Sequence, residues 1–409
     1  MTEKTAGTPA GLIALAIGGF GIGLTEFGIV GLLPEISRDL DISESTAGYA
    51  VSGYALSVAL GAIALTAFLS RFKKKPALVG LMVLFIIGNM ISALATDFTV
   101  LMVGRVIAAL CHGAFFGVGA VVAAGLVVES RRAGAIALMF AGLTVANVAG
   151  IPLGTLLGQQ LGWRSTFWAI TIIGVLALVG MQLLVEVKND QPSSGIRSEM
   201  QVFRRWPALA SALVSVLTFG SMVGAYTYIA FTLTEVTGFA ESTVPLILLL
   251  FGVGTFLGNL LGGRLADRSL DKSLALLILI MSVVLAVFAL GAGNKAFALV
   301  AMFVLGTVGF ATAPGLQLRV MRHAEDVPTM ASGLNIAALN VGNAIGAWLG
   351  GLTIALGLGY VSPLWVGAAL GLAALLVLGL TVLTGTSGTS KRTGPAAAPD
   401  LAKQARASS

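Results

Sequence analysis

Charge is scarce in this chain. Asp, Glu, Lys and Arg make up 10% of its 409 residues, against about 25% in a soluble protein. Cysteine occurs once, at Cys111, so an intramolecular disulfide is excluded. Histidine occurs twice, and neither His112 nor His323 belongs to an H-E-x-x-H pair, so no metal site is expected. No Gly-Lys dipeptide occurs anywhere. That excludes the phosphate loop of an ATP-driven pump, and no cofactor and no enzymatic activity is expected. The net charge of +6 sits on so apolar a chain that it points to anionic lipid, not to nucleic acid.

Apolar residues, by contrast, are 57% of the chain. They fall into twelve long runs, near 10–33, 45–69, 76–95, 99–128, 133–156, 165–187, 209–234, 243–263, 272–292, 295–320, 327–356 and 361–384. Each is near the ~20 residues that a helix needs to cross a bilayer. Of the 24 Lys and Arg residues, 20 lie in the two termini and in every second loop. Only Arg38, Arg105, Arg164 and Lys295 lie elsewhere. The positive-inside rule then places both termini in the cytoplasm, and an even number of spans agrees. Acidic residues such as Glu35, Asp39, Asp41 and Glu44 gather on the other side. The first run is too long for the core of a signal peptide and lacks an Ala-x-Ala-like cleavage site, so it reads as a retained span.

The chain also repeats. Residues 188–208 form a polar linker bearing Pro192 and several serines, and they divide twelve spans into six and six. The halves match at a shift of 196–197: Glu44-Ser45-Thr46 with Glu241-Ser242-Thr243, Gly61 and Arg71 with Gly258 and Arg268, and Asn147, Gly150 and Gly154 with Asn343, Gly346 and Gly350. Three matches in order at one shift argue for a duplicated unit. The expected fold is an all-α membrane protein of twelve helices in two parallel six-helix repeats. The first half spans 1–187, the second 209–384, and 385–409 form a disordered cytoplasmic tail.

At these residues the chain resembles the major facilitator superfamily. Gly263-x-Leu265-Ala266-Asp267-Arg268 is similar to the family's cytoplasmic motif. In the first-half copy Thr66, Ser70 and Lys73 replace the usual Gly, Asp and Gly, although Arg71 remains. Within the superfamily the chain resembles the twelve-span drug:proton antiporters, and in particular the branch of chloramphenicol exporters and arabinose efflux permeases. The strings that carry this are Gly28 to Pro34, Arg105 with Gly113 and Gly117, Gly150-Ile151-Pro152-Leu153-Gly154, Thr25-Glu26-Phe27 and His112 to Phe116. The resemblance implies a binding site near the bilayer midplane between the halves, and alternating access around it.

Several side chains stand out without the resemblance. Glu26 and Arg105 are the only charges well inside spans. Such a residue is costly, and by default functional. Glu26 is either a proton-linked acid or a wetted carboxylate at the outer rim. Arg105 cannot lose its proton; it is either the electrostatic partner of Glu26 or a lip residue paired with Asp97. His112 lies seven residues from Arg105 on the same helical face, and either joins the proton path or packs. Phe27, Tyr54, Phe116 and Tyr226 are candidates for an apolar cavity, with Asn147, Asn335 and Asn340 as its polar members. For Asn147 and Asn343, hydrogen bonds between helices are favoured. Gly150, Pro152 and Gly154 combine a helix break with close packing. They join Arg71, Gly263, Asp267 and Arg268 as candidate gating positions.

The expected function is a proton-coupled exporter of small amphipathic drugs, such as chloramphenicol-like antibiotics, in a bacterial plasma (inner) membrane. The alternative is efflux of sugars or nucleoside-type metabolites. The expected partners are a small-molecule substrate, protons and the lipid bilayer, with the chain a monomer.

Overall fold

The computed structural model describes residues 10–69, 71–186, 203–324 and 328–384. Most of the expected linker, including 188–202, and the whole tail from 385 lie outside the described residues. Among the described residues, twelve helices are long and apolar enough to cross a bilayer. They are α1 (Ala10–Phe27), α2 (Glu44–Leu69), α3 (Lys74–Ala93), α4 (Phe98–Gly125), α5 (Gly134–Leu161), α6 (Trp163–Leu184), α7 (Trp206–Thr227), α8 (Glu241–Arg268), α9 (Leu270–Gly291), α10 (Lys295–Arg322), α11 (Met330–Ala355) and α12 (Ser362–Leu383). Leucines such as Leu246, Leu290 and Leu376 are exposed on the outside of the bundle, as a lipid-facing surface requires.

Local chemistry sets the ends. Asp97 accepts a hydrogen bond from the Val100 N–H (3.0 Å) and opens α4. Asn294 accepts one from Phe297 (3.0 Å) and opens α10. Both satisfy amides that a helix N-terminus leaves unpaired. The two caps lie 197 residues apart, at the repeat shift. Packing repeats as well. A Cβ at Gly61 would meet the Leu110 carbonyl of α4, and one at Gly258 would meet the Thr307 carbonyl of α10. Leu110 and Thr307 are also 197 apart. Pro207, Pro245 and Pro363 sit in the first turns of α7, α8 and α12, where no helical N–H is lost.

Two spans depart from their hydropathy. The run expected at 10–33 is not one helix. It breaks after Phe27, passes a 3₁₀ turn at Val30–Leu32 and resumes as a short helix, Leu33–Asp39. Leu33 and Ile36 on that helix are fully buried, so the chain remains inside the bundle past Glu26. The run expected at 209–234 leaves α7 at Thr227 and ends in a π-turn at Thr232–Val236. α5 carries a second π-turn at Ala146–Gly150, in which the Ile151 N–H reaches back to the Ala146 carbonyl. Pro152, which has no N–H to give, follows directly.

The halves meet along α2 with α11 and along α5 with α8. At the end opposite the termini, three hydrogen bonds among the described residues cross between them. Arg38 donates to Glu241 (3.0 Å), Gln159 donates to the Glu241 carbonyl (3.1 Å), and the Tyr360 hydroxyl donates to Glu44 (3.1 Å). Nearby, a Cβ at Gly48 would overlap the Tyr228 hydroxyl of the other half. At this end the two halves are in close contact.

Candidate functional site

The break in α1 builds the first part of the site. A helix leaves its last carbonyls unpaired, and here those of Thr25 and Glu26 meet Arg105. Its guanidinium donates to the carbonyls of Thr25 and Glu26 (3.5 Å) and to that of Ala50 on α2 (3.2 Å). It also lies 4.0 Å from the centroid of the Tyr54 ring. Arg105 is 0% exposed, so it is not a lip residue, and Asp97 is occupied as a helix cap. The electrostatic partnership expected of Arg105 with Glu26 acts through space, while the hydrogen bonds of Arg105 go to main-chain carbonyls and not to the carboxylate. Arg105 meets the backbone of Glu26, and its fork ties α1 and α2 to α4.

The nearest charge-bearing partner of the Glu26 carboxylate is His112. Its Nε2 lies 3.9 Å from Glu26 Oε2. The other ring nitrogen, Nδ1, is 3.4 Å from the Tyr54 hydroxyl. His112 is 6% exposed and sits at the middle of α4. Glu26 is level with it, not at the rim, although its side chain keeps 12% exposure. Phe116 lies 5.5 Å from the imidazole and stacks on Phe140. A carboxylate, an imidazole and a phenol thus lie in succession, 3.9 Å and 3.4 Å apart, inside an apolar wall with a fixed positive charge behind them. Each of the three groups is of a kind that exchanges protons.

Phe27, the next residue, faces the other half. It lines a small void with Asn147, Ile151, Met222, Val223, Tyr226, Phe251 and Phe310. Its free space is on the order of a single water molecule. The walls come from α1 and α5 of the first half and from α7, α8 and α10 of the second. Tyr226 stacks on Phe251 at 4.2 Å and meets Phe27 edge-on at 6.3 Å. Asn147 Oδ1 and the Tyr226 hydroxyl are buried here without partners. Unpaired buried polar atoms are costly and call for an explanation. An apolar site with a few polar groups for orientation is the usual form of a small-molecule pocket.

Phe27, Asn147 and Tyr226 therefore line the void, whereas Tyr54 and Phe116 surround His112. Asn335 and Asn340 do not line it, which corrects their placement. Asn335 is held by Gln317 and Ser215, each at 2.7 Å, and Asn340 donates to the Ile336 carbonyl of its own helix. Nor do Asn147 and Asn343 form the expected bonds between helices, since the carbonyl oxygens of both are unpartnered.

The gating residues separate too. A Cβ at Gly154 would lie 3.2 Å from Leu24 and from Thr166, both in the first half. Gly154, a candidate gating position, therefore packs within the first half and not at the contact between halves. The tight approach between halves is made instead by Gly252 of α8, where a Cβ would meet the Asn147 carbonyl and Val148 Cα in the π-turn. Gly150 faces the Phe20 ring, also within the first half. Gly154→Leu is accordingly expected to unsettle the first half itself. Thermal denaturation should show a Tm lowered by several degrees, from about 1–3 kcal/mol of overpacking. An unchanged Tm with blocked transport would restore the inter-half placement. At the end bearing the termini, Arg71, Asp267 and Arg268 are exposed, and Gly263 has open space on its Cβ side.

The model of the Major Facilitator Superfamily matches residues 15–336. The chain belongs to the major facilitator superfamily. This transporter is 43% identical to "Inner membrane transport protein YdhP" of Escherichia coli over 367 residues, 90% of this chain and 94% of that one. It is 34% identical to "Putative transporter AraJ" of Escherichia coli, covering 96% and 98% of the chains. It is 33% identical to a "Chloramphenicol resistance protein" of Streptomyces lividans, covering 90% and 95%. Among solved structures, a D-xylose-proton symporter shares its fold with a TM-score of 0.74 at 16% identity, over 90% of this chain and 96% of that one. A facilitator fold is what the repeat and the twelve spans led us to expect.

One polar centre of this transporter escaped the sequence reading. Arg319 counted there as a basic rim residue, yet it is 2% exposed. It donates to Asp271 (2.8 Å), to Ser211 (2.8 Å) and to Thr381 (2.7 Å), joining α7, α9, α10 and α12. The signal available was Asp271, a carboxylate in a loop otherwise rich in positive charge.

Proposed function

We propose that this transporter exports small amphipathic compounds, such as chloramphenicol-like antibiotics, from the cytoplasm in exchange for protons. The observation that carries the reading is the void between the halves. Its walls are aromatic and aliphatic, it offers two unpartnered polar atoms, Asn147 Oδ1 and Tyr226 Oη, and it adjoins Glu26 through Phe27. Glu26 is the proton-linked acid, His112 and Tyr54 extend its proton path, and Arg105 supplies the fixed charge. Protonation of Glu26 and occupation of the void compete, so inward proton flow drives outward export. Sugars or nucleosides are the weaker alternative. Each hydroxyl of such a ligand needs a partner in a buried site, and this void is poor in partners. The membrane is the bacterial inner membrane, with both termini cytoplasmic by the charge asymmetry.

The direct test is growth of a pump-deficient strain expressing this chain, in the presence of phenicols, other antibiotics, nucleosides and sugar analogues. Resistance to amphipathic antibiotics is expected, and protection against nucleosides or sugar analogues alone would replace the reading with its alternative. Topology has its own check. In a Cys111→Ala background, Cys at position 129 should label only from the cytoplasmic side and Cys at position 41 only from outside. Reversal of either would overturn the orientation. Asp267→Asn should slow turnover severalfold with little change in substrate affinity, because an exposed residue at the helix end lies far from the void. Equal turnover in both proteins would remove Asp267 from gating.

A further inference from the structure

We propose that Glu35 is a second proton-binding site, a latch that holds the two halves together at the end opposite the termini when protonated and releases them when ionised. The proposal rests on alternating access between the halves, and not on which acid couples the proton.

Glu35 stands on the short helix Leu33–Asp39, after the break in α1. That helix lies at the seam between the halves. Three residues later, Arg38 makes the ion pair with Glu241 of α8 (3.0 Å). Gln159, at the end of α5, donates to the Glu241 backbone carbonyl from the first half (3.1 Å). One oxygen of Glu35, Oε2, is sealed from solvent and has no hydrogen-bond partner. A carboxylate with a buried, unpaired oxygen at a moving seam is unfavourable when charged and much less so when protonated.

The groups facing Glu35 set the direction. Burial raises its affinity for a proton, and that outweighs the rest. Its own backbone amide and the Gln159 side chain act against it by hydrogen bonding. Glu241, a like charge across the seam, raises it again, and Arg38 lowers it. Other acids nearby are engaged elsewhere. Asp39 is held below the usual carboxylate range by its hydrogen bonds from Arg164 and Trp163. Glu44 accepts from Tyr360. Glu35 is the acid on this helix with a sealed, unpartnered oxygen, and it stands between Arg38 and Gln159, the two residues that reach across the seam to Glu241.

The sign follows from linkage. With the seam closed, Glu35 holds its proton above the ordinary pKa of a glutamate. When the halves part, water reaches the carboxylate and the ordinary value returns. The closed form therefore binds the proton more tightly. Low pH on that side favours closure, and rising pH favours opening. For each unit by which the two forms differ, the ratio of open to closed changes by up to about tenfold. Glu26 is a separate site, on α1 beside His112 and not on the short helix that carries the Arg38–Glu241 pair. In a proton-driven exporter the device has a use. It loads from the side where protons are abundant and closes that side once loaded.

The test uses the full chain in lipid nanodiscs, in a Cys111→Ala background, with spin labels at Gln160→Cys and Ser242→Cys. Both positions are exposed and lie on opposite sides of the seam. Distances are measured by electron–electron double resonance from about pH 5 to about pH 8, without substrate, so that no transport step is needed. The unmutated seam should pass from short to long distances as pH rises. Glu35→Gln should keep the short distance throughout. Glu241→Gln removes the like charge and frees Arg38 to face Glu35, so its midpoint should move to lower pH. Glu26→Gln should keep the pH-dependent shift, which separates this site from the coupling acid. A distance distribution that ignores pH with Glu35 present, or a shift that persists unchanged in Glu35→Gln, overturns the proposal. So does loss of the shift in Glu26→Gln with retention in Glu35→Gln.

Discussion

Glu26→Gln abolishes proton-driven export and leaves a folded protein in the membrane. Glutamine matches the shape of glutamate and can still approach His112, but it cannot titrate. Folding does not depend on the carboxylate. Arg105, the ion that most needs compensation in this region, is satisfied by the backbone carbonyls of Thr25, Glu26 and Ala50 and by the Tyr54 ring. None of these changes in the variant. Uphill uptake of a phenicol into inverted vesicles under an imposed pH gradient should fall to the protein-free background, a loss of about 100-fold or more, in line with removal of an essential proton carrier. Exchange of substrate down its own gradient should persist, because the walls of the void are intact. If the variant still concentrates substrate, the proton is carried elsewhere, and His112 is the next candidate.

The second large effect is expected at Gly252. There the α8 backbone lies against the π-turn of α5, and a Cβ would meet the Asn147 carbonyl and Val148 Cα. Main chain cannot turn aside as a flexible side chain can. Gly252→Leu should therefore keep the halves apart at this level. If contact between halves loses about 3 kcal/mol, the closed form becomes about 100-fold rarer. Transport should fall by a similar factor, while each six-helix half, whose internal packing is untouched, still folds. The double-label distance across the seam should stay long at every pH. A short distance together with normal transport would show that the halves do not close on this contact.

Fold and site differ in how much of them the sequence made legible. Twelve apolar runs and the repeat shift led to the architecture, because hydropathy and duplication both act over many residues. Even the caps at Asp97 and Asn294 respect the shift. The break after Phe27 was hidden, because Gly28 to Leu33 remain apolar and only backbone hydrogen bonding tells a broken helix from a whole one. Glu26 and Arg105 were legible as charges within apolar runs. The hydrogen-bond partners of Arg105 were not, because they are backbone carbonyls, which leave no signature in composition. The same reason explains Gly154 and Gly252. Glycine announces a close approach but not to which helix. Arg319 was misread because its charge matched the rim pattern, and only burial separates an anchor from an internal network. Phe27, Asn147 and Tyr226 were legible as cavity candidates. That they meet Phe251 in one void, apart from Tyr54, Phe116, Asn335 and Asn340, was not, since the lining comes from several helices spread over two halves.

Glu26 as the acid that exchanges protons for substrate is most directly tested by proton flux in the absence of any imposed pH gradient. Purified protein in liposomes is given an outward phenicol gradient while the lumenal pH is followed with a trapped dye. Protons should move inward against the outward substrate in the unmutated protein, a protonophore should collapse the resulting pH difference, and Glu26→Gln should move substrate with no proton movement. Substrate efflux with an unchanged lumenal pH in the unmutated protein, or equal proton movement in Glu26→Gln, would contradict it.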